Sequence, residues 1–577
     1  MLLRVIAIDY DGTIAEEGVL HPDVREAILE AREAGLFVVI VTGRILRELR
    51  RVAGDLSFVD GVVAENGAVI LLANGHRRLL GPPPFPVFLR ELSERGIEFV
   101  AGRCLIDIDA EHCQSVLSII REKSLPLMIS FNRNRMMVLP QSISKATGLS
   151  AILDILGTSV HNTLGIGDAE NDFELLKGCE YGVTVEWAPE FLKSEADFVL
   201  PGKDITAVAQ YIRQAAAENR IPIGVTRHRK LVLESKKGEP SFEFTIRGRN
   251  ILIAGDTKSG KSWIAGLFCE QMILQRYTLI ILDPEGDYSS LAPLPNTLML
   301  GGGRPLPKIE DLMYLFQQGL SIILNLSHLD HQDKLSYVCE LLPMTAKYRR
   351  IWGYPHSILL DECHYFLKEP QCGTTLDPEL GSYILVTYRP SELPKEVLQS
   401  FEAVIATRIG GKEEVDAVRS ISAAETPDNW YELMRNLVIG EAVLLPPTLE
   451  ALEAPRRFSI VPRLTLHVRH RTKYFDRHMS PEQAFVYTDN GRPTGRSAAT
   501  LSELAGSATE EMEQVIYGHL QRHDFSHWIA NTFDDIILAD VVRKIESLHY
   551  HDRTAALFGA DLSAAIKERY NHNFQPA

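Results

Sequence analysis

Two groups of residues on this chain are suited to phosphate chemistry. Asp9 and Asp11, within Asp9-Tyr10-Asp11-Gly12-Thr13, stand two apart at the end of an apolar strand, so both carboxylates point to one side, into the crevice where open α/β sheets bind ligands. Paired carboxylates there require a cation. Gly167-Asp168-Ala169-Glu170-Asn171-Asp172, at another strand-to-loop junction, adds the acidic oxygens that a hard Mg2+ takes. Each fragment alone has a plainer reading, since D-x-D-G also occurs in calcium loops and G-D-x-x-N-D can be a turn. Their order, with Thr42-Gly43-Arg44 and Lys145 between them, points to one site. The second group is Gly255-Asp256-Thr257-Lys258-Ser259-Gly260-Lys261-Ser262. In such a loop, backbone N–H groups cradle phosphates, Lys261 reaches the β and γ oxygens of a nucleoside triphosphate, and the Ser262 hydroxyl holds Mg2+. Asp361-Glu362, after the apolar run Ser357 to Leu360, supplies a metal-orienting Asp and a Glu suited to positioning the attacking water.

These residues need strands that end where they stand. Leu3 to Ile8, Leu36 to Val41 and Thr163 to Ile166 read as buried strands, and His21 to Ala34 and Glu170 to Lys177 as helices, which is the alternation of a parallel α/β sheet. Gly81-Pro82-Pro83-Pro84 interrupts it. The stretch that follows predicts a helix at Phe85 to Arg95, a strand at Ile97 to Ile108, a helix at Ala110 to Lys123 and two strands near Leu127 to Leu139, together an inserted cap. Asn250 to Ala254 is an apolar strand running into the second motif, with Trp263 to Gln271 helical behind it. The expected layout is a Rossmann-like core over 1–80 and 141–214, a cap over 81–140, a basic connector over 215–249, a RecA-like P-loop domain over 250–460 and an accessory region over 461–577.

With 577 residues the chain is too long for one core, and 45% hydrophobic against 24% charged residues is an ordinary globular balance. No apolar run is long enough to cross a membrane and the first residues lack signal-peptide character, so a cytoplasmic protein without membrane partners is expected. The seven cysteines form no C-x-x-C pair, which predicts reduced, mostly buried thiols. A formal charge of −16 disfavours indiscriminate coating of nucleic acid and leaves local basic strips to be weighed one by one.

The set Asp-Tyr-Asp-Gly-Thr, Val-Thr-Gly-Arg, Ser-Lys and Gly-Asp-x-x-Asn-Asp resembles the four motifs of the haloacid dehalogenase phosphatase superfamily over about residues 1 to 215. Ala64-Glu65-Asn66-Gly67-Ala68 and the place of the insert resemble its Cof-type branch. The resemblance implies that Asp9 is the nucleophile and Asp11 the general acid and base. It also implies that Thr42 and Lys145 bind phosphate, and that Asp9, Asp11, Asp168 and Asp172 hold or support Mg2+. From 225 to 460, Ile280 to Tyr288, Ile322 to Ser327, Asp361-Glu362-Cys363-His364 and Thr387-Tyr388-Arg389-Pro390-Ser391 resemble the HerA and FtsK group of hexameric DNA-translocating ATPases, with Tyr388 where that group usually has Gln. That resemblance implies ATP and Mg2+ as cofactors, Ser262 and Asp361 at the metal, and a ring completed by an arginine such as Arg389, Arg408 or Arg419.

Other stretches are less specific. Arg227 to Lys237 is basic, and Arg456 to Arg477 carries seven basic residues against Asp476 with aromatics between them, which suits a nucleic-acid strip or, equally, a solvated face. His519, His523 and His527 fall four apart on an expected helix. Without an acidic or Cys partner in ligand spacing they read more readily as a polar face than as a metal site. The leading expectation is a bifunctional enzyme, a Mg2+-dependent phosphatase of phosphomonoesters joined to an ATPase that forms a homo-oligomeric ring, with nucleic acid as a candidate partner. Two alternatives stand beside it: a small-metabolite phosphatase whose P-loop domain regulates or assembles, and a phosphatase–kinase for nucleic-acid ends.

Overall fold

The computed structural model describes residues 1–222, 226–235, 240–368, 376–421, 429–445, 455–465, 484–489, 491–533 and 536–571. The residues described up to Thr465, apart from Glu285–Asp287, form one compact unit, and those from Ala484 onward belong to a second.

The first unit holds two sheets built on the same logic. Val5–Ile8, Phe37–Val41, Gly61–Ala64, Thr163–Gly167 and Tyr181–Val185 are almost wholly apolar and almost wholly buried, as strands covered on both faces must be. They lie in an eight-stranded sheet in which Val5–Ile8 is central, parallel to Thr163–Gly167 on one side and to Phe37–Val41 on the other. Side chains alternate across it. Ile6, Ile8, Val38 and Ile40 face a core shared with the helices Pro22–Glu33 and Thr206–Glu218, whereas Val5, Ala7, Val39 and Val41 meet Leu149, Ile152 and Leu153 of the helix Lys145–Leu156.

The register pairs Ile8 with Ile166 and with Ile40, so the residues that follow these three strands, Asp9, Gly167 to Asp168, and Val41 to Thr42, emerge side by side. One glycine secures the fourth contributor. Gly67 has φ +109°, and a Cβ there would come within 1.9 Å of the backbone oxygen of Ser144, the N-cap of the helix that opens with Lys145. Gly67→Ala is therefore expected to cost about 3 kcal/mol or more, because backbone rather than a side chain must yield. A fall of several degrees in the melting temperature followed by circular dichroism, with loss of whatever activity depends on Lys145, would check it.

The insert folds as a four-stranded antiparallel sheet, Leu127–Asn132, Arg135–Pro140, Ile106–Asp109 and Phe99–Ala101, backed by the helices Pro86–Glu94 and Cys113–Glu122 around its own core. The single strand expected over Ile97 to Ile108 is two strands. The turn between them is organised from the core, because the buried carboxylate of Glu65 accepts from the backbone N–H groups of Arg103, Cys104 and Leu105 at 2.8–3.2 Å.

The second sheet has nine strands in the order Thr297–Gly301, Ser321–Asn325, Leu279–Asp283, Ser357–Leu360, Tyr383–Thr387, Ile251–Ala254, Ala403–Ala406, Glu441–Leu445 and Arg456–Ser459. The first seven run parallel, Glu441–Leu445 runs against them, and Arg456–Ser459, antiparallel to Glu441–Leu445, returns to their direction. Within the basic connector, Leu231–Glu234 and Phe242–Phe244 form a hairpin whose apolar side joins the core beneath this sheet. Arg456 and Arg457 lie on the edge strand, and Arg463 is buried beside Glu270 with its guanidinium over Trp263. The rest of the expected basic strip, residues 466–477, lies outside the described residues, as do Lys236 and Lys237. Among the described residues Cys104, Cys113, Cys179, Cys269 and Cys363 are free as expected, whereas Cys339 is disulfide-bonded.

The second unit is a hairpin, Phe485–Asp489 with Arg492–Ala498, packed with the helices Leu501–Glu510, Glu513–Arg522, Ile536–His551 and Ala555–Asn571. Among the described residues no helix is long and apolar enough to cross a membrane.

Candidate active sites

At the carboxyl end of the first sheet, Asp9 is 4% exposed and Lys145 only 1%. The Lys145 ammonium sits between two carboxylates, 2.5 Å from Asp9 Oδ1 and 2.5 Å from Asp172 Oδ1. Asp172 is held by its other oxygen, which accepts from the backbone N–H groups of Asp168 and Ala169 at 3.0 Å. Asp168 takes the Thr13 hydroxyl at 2.9 Å and, from the cap, the Arg133 guanidinium at 3.0 Å. Asp9, Asp168 and Asp172 each offer an oxygen to a common cluster no wider than 4.8 Å.

Such crowding raises carboxyl pKa values. Burial, and then the Asp172 charge, lift Asp9 well above the usual carboxylate range against the pull of Lys145, and the same two causes carry Asp168 to about 6. Burial works against the Lys145 charge, but Asp172 and Asp9 together hold it firmly protonated.

Asp11 lies outside that cluster. Both of its oxygens are forked by Arg44, Nε to Oδ2 at 2.5 Å and Nη2 to Oδ1 at 2.6 Å. Thr42 is buried, and its hydroxyl accepts from the backbone N–H of Arg44 at 3.1 Å. Between these residues and the cap lies an open crevice of about 210 Å3, to which the cap contributes Leu105, Asp107, Asn132, Arg135 and Met137. The buried Asn171 amide, one of the motif residues given no role above, has neither its donor nor its acceptor engaged within the protein and lies beside Gly43 at the rim of this crevice.

The second site forms where Ile251–Ala254 runs through a tight loop into the helix Lys261–Leu274. Lys258 and Gly260 take positive φ, +65° and +106°, which turns the loop, and Gly255 approaches Thr407 so closely that a Cβ would lie 1.9 Å from its hydroxyl. Asp256 Oδ2 accepts from the backbone N–H of Gly410, Ser259 meets Thr407 at 2.5 Å, and Lys261 Nζ donates to the Asp256 carbonyl at 3.0 Å. Asp361 is buried at the end of the strand Ser357–Leu360, and Glu362 follows with φ +46°.

Two residues here carried no role in the sequence. His364 Nδ1 lies 3.0 Å from the Thr387 hydroxyl and 3.7 Å from Glu362, and burial lowers it to about 4, so the ring is neutral. Tyr388 has its ring 5.8 Å from Lys261 Nζ and its hydroxyl 3.3 Å from that of Tyr365, which places it inside the site. Of the three arginines considered for a partner's site, Arg389 is bound to Glu392 at 2.5 Å, and Arg408 and Arg419 are exposed.

Residues 6–80 and 89–212 match the family of haloacid dehalogenase-like hydrolases, and residues 246–354 match the central domain of helicase HerA. The chain joins a haloacid dehalogenase-like hydrolase domain to a HerA central domain. It is an enzyme, with a phosphatase-type hydrolase site and a P-loop ATPase domain. The hydrolase domain is similar to a phosphoglycolate phosphatase of Methanothermobacter thermautotrophicus, 27% identical over 225 residues that cover 37% of this chain and 98% of the relative. It is also similar to a 5-amino-6-(5-phospho-D-ribitylamino)uracil phosphatase of Bacillus subtilis, 26% identical over 236 residues, 37% of this chain and 95% of the relative. A solved haloacid dehalogenase-like hydrolase from Bacteroides thetaiotaomicron is 20% identical, covering 37% of this chain and 99% of its own, with a TM-score of 0.33.

Beyond the two matched domains, the three histidines of the second unit do not converge. The helix Glu513–Arg522 ends at His523, which has φ +56°, so the spacing of four no longer keeps them on one face. His519 bonds Asp524, His523 faces Glu546 and His527 meets Arg543. Among the described residues the only grouping of three or more His, Cys, Asp or Glu side chains able to hold a metal ion is that of Asp9, Asp168 and Asp172.

Proposed function

We propose that the hydrolase domain removes phosphoryl groups from small phosphomonoesters with Mg2+ bound by Asp9 and Asp168, and that the HerA domain hydrolyses ATP as a ring-forming motor on nucleic acid. The observation that carries the first half is the convergence of Asp9, Asp168, Asp172 and Lys145 at one strand edge. Oxygen-only donors whose mutual repulsion raises their pKa values suit a hard divalent cation, which when bound offsets the negative charge between Asp9 and a phosphate ester.

Asp9 attacks phosphorus and forms an aspartyl phosphate as the ester oxygen leaves with a proton from Asp11. Asp11 then takes a proton from water, which attacks the same phosphorus, releases inorganic phosphate and restores Asp9. Arg44 grips both oxygens of Asp11, so each proton transfer requires it to free one of them. Lys145 and Thr42 hold the phosphoryl oxygens. The crevice of about 210 Å3 between core and cap has room for a small leaving group such as a hydroxy acid or sugar.

Asp168 couples cation binding to pH. Only ionised carboxylates ligate, and both Asp168, raised to about 6, and Asp9, raised well above the usual range, must lose their protons, so Mg2+ affinity is expected to fall by at least about tenfold per pH unit below 6. Calorimetric titration of Mg2+ at pH 7.5, 6 and 5 checks this, and an affinity unchanged at pH 5 would remove Asp168 from the metal site.

In the HerA domain, Lys261 and the loop N–H groups bind the triphosphate, Ser262 and Asp361 hold its Mg2+, and Glu362 orients water. A site of this kind is commonly completed by an arginine from the next subunit, and the exposed Arg408 and Arg419 are available for that. The deciding experiment is ATP turnover with and without single-stranded DNA, duplex DNA and RNA, together with light scattering with and without nucleotide. Stimulation by nucleic acid and a hexameric particle support the motor. Indifference and a monomer favour the alternative in which the P-loop domain serves the phosphatase.

A further inference from the structure

The amino ends of the strands from both sheets meet at one buried joint. On the hydrolase side stand His161 and Asn162, immediately before the strand Thr163–Gly167 that delivers Asp168, and Glu180, immediately before Tyr181–Val185. Asn162 also donates through Nδ2 to the carbonyl of Leu2 at 2.9 Å, just ahead of the strand that delivers Asp9. On the HerA side stand Gln275, at the end of the helix that opens with Lys261; Tyr277 and Thr278, before the strand Leu279–Asp283; and His356, before the strand that delivers Asp361.

The two sides are bonded directly. His161 Nδ1 lies 2.8 Å from Glu180 Oε2 and Nε2 lies 3.0 Å from the Gln275 carbonyl. The Tyr277 hydroxyl donates to Glu180 at 2.9 Å, and its ring stacks on His161 at 3.7 Å. Thr278 N–H donates to His356 Nδ1 at 2.7 Å, which leaves His356 Nε2 to donate to Asn162 Oδ1 at 3.2 Å. His161, Asn162, Glu180 and His356 are each no more than 1% exposed.

We propose that nucleotide occupancy of the P-loop site sets the catalytic rate of the hydrolase site through this joint. The inference rests on the reading that both sites are active. Lys261 Nζ donates to the Asp256 carbonyl, and a triphosphate competes for that ammonium, so nucleotide binding re-seats the first turn of a helix about 21 Å long. Its far end is the Gln275 carbonyl on His161. A close-packed polar joint yields little, so a shift there passes along short, fully buried strands to Asp9 and Asp168.

The test uses the full chain at constant free Mg2+. Hydrolysis of p-nitrophenyl phosphate is measured with and without saturating AMP-PNP, whose binding is followed by displacement of a fluorescent ATP analogue. The expected results are a change of about five-fold or more in kcat/KM with AMP-PNP bound, and a change in AMP-PNP affinity on saturation with orthovanadate equal in factor to the change in orthovanadate affinity on saturation with AMP-PNP, since equilibrium coupling between two bound ligands is reciprocal. Tyr277→Phe should keep each site's own kinetics within about two-fold and lose most of the response. Bound AMP-PNP with unchanged hydrolysis, or a Tyr277→Phe enzyme that responds as the native one does, overturns the proposal. Should p-nitrophenyl phosphate not turn over, or the ATP analogue not bind, the assignment of two working sites fails and the coupling with it. The reciprocal measurement on the native chain decides the matter even where the variant does not fold.

Discussion

Asp9→Asn is expected to reduce hydrolysis of p-nitrophenyl phosphate by about a thousand-fold or more while ATP turnover in the absence of phosphatase ligands stays near that of the native enzyme. The amide matches the carboxylate in shape, so the site should still assemble around it, but it is a poor nucleophile and cannot carry the aspartyl phosphate. Electrostatics sharpen the expectation. Asp9 and Asp172 share the Lys145 ammonium at 2.5 Å each, and removing one of the two negative charges relieves the repulsion that burial makes costly. The variant should therefore fold at least as well as the native protein, which separates lost chemistry from lost structure. Steady-state kinetics, a melting curve and mass spectrometry of acid-quenched enzyme for a phosphorylated Asp9 give the three readouts. A variant that keeps its phosphatase rate would remove Asp9 as nucleophile.

What was legible in the sequence was what strand ends and short loops decide locally. Asp9 and Asp11, Gly167 to Asp172 and the loop Gly255 to Ser262 each sit where an apolar run stops, and the parallel register of Ile8 with Ile166 and Ile40 explains why residues so far apart in sequence form one crevice. Long-range electrostatic partners left no such trace. Arg133 reaches Asp168 from a hairpin tip in the cap, Arg44 forks Asp11, and Glu65 binds three backbone N–H groups of the cap, all contacts that no periodicity or spacing encodes. The joint at His161 and Tyr277 was invisible for the same reason, since its members are scattered single residues just ahead of strands and belong to different domains. Where spacing was used without knowledge of where an element ends, it misled: Ile97 to Ile108 bends at the turn held by Glu65, and the helix expected to align His519, His523 and His527 stops at the second of them.

The second large effect is expected at the HerA domain, where Glu362→Gln should leave ATP binding within about threefold of the native enzyme and slow hydrolysis by about a hundredfold or more. Asp361 and Glu362 are adjacent but differently placed. Asp361 is buried at the strand end and accepts the backbone N–H of Glu362, whereas Glu362 itself takes φ +46°. A non-glycine residue persists in that conformation only when its surroundings demand it, and here the neutral His364 lies 3.7 Å from its carboxylate. Gln preserves shape and hydrogen bonding but lacks the charge that draws a proton from water, so the loss should fall on kcat. Lys261→Ala provides the contrasting case. It removes a charge-assisted contact to the phosphates and should weaken nucleotide binding about ten- to a hundredfold. Fluorescent-nucleotide titration and phosphate release, measured on both variants, separate the two roles. Equal turnover in Glu362→Gln and the native enzyme would transfer the positioning of water to another group, and His364, bonded to Thr387 and facing Tyr388, is the residue whose replacement would then be expected to stop hydrolysis.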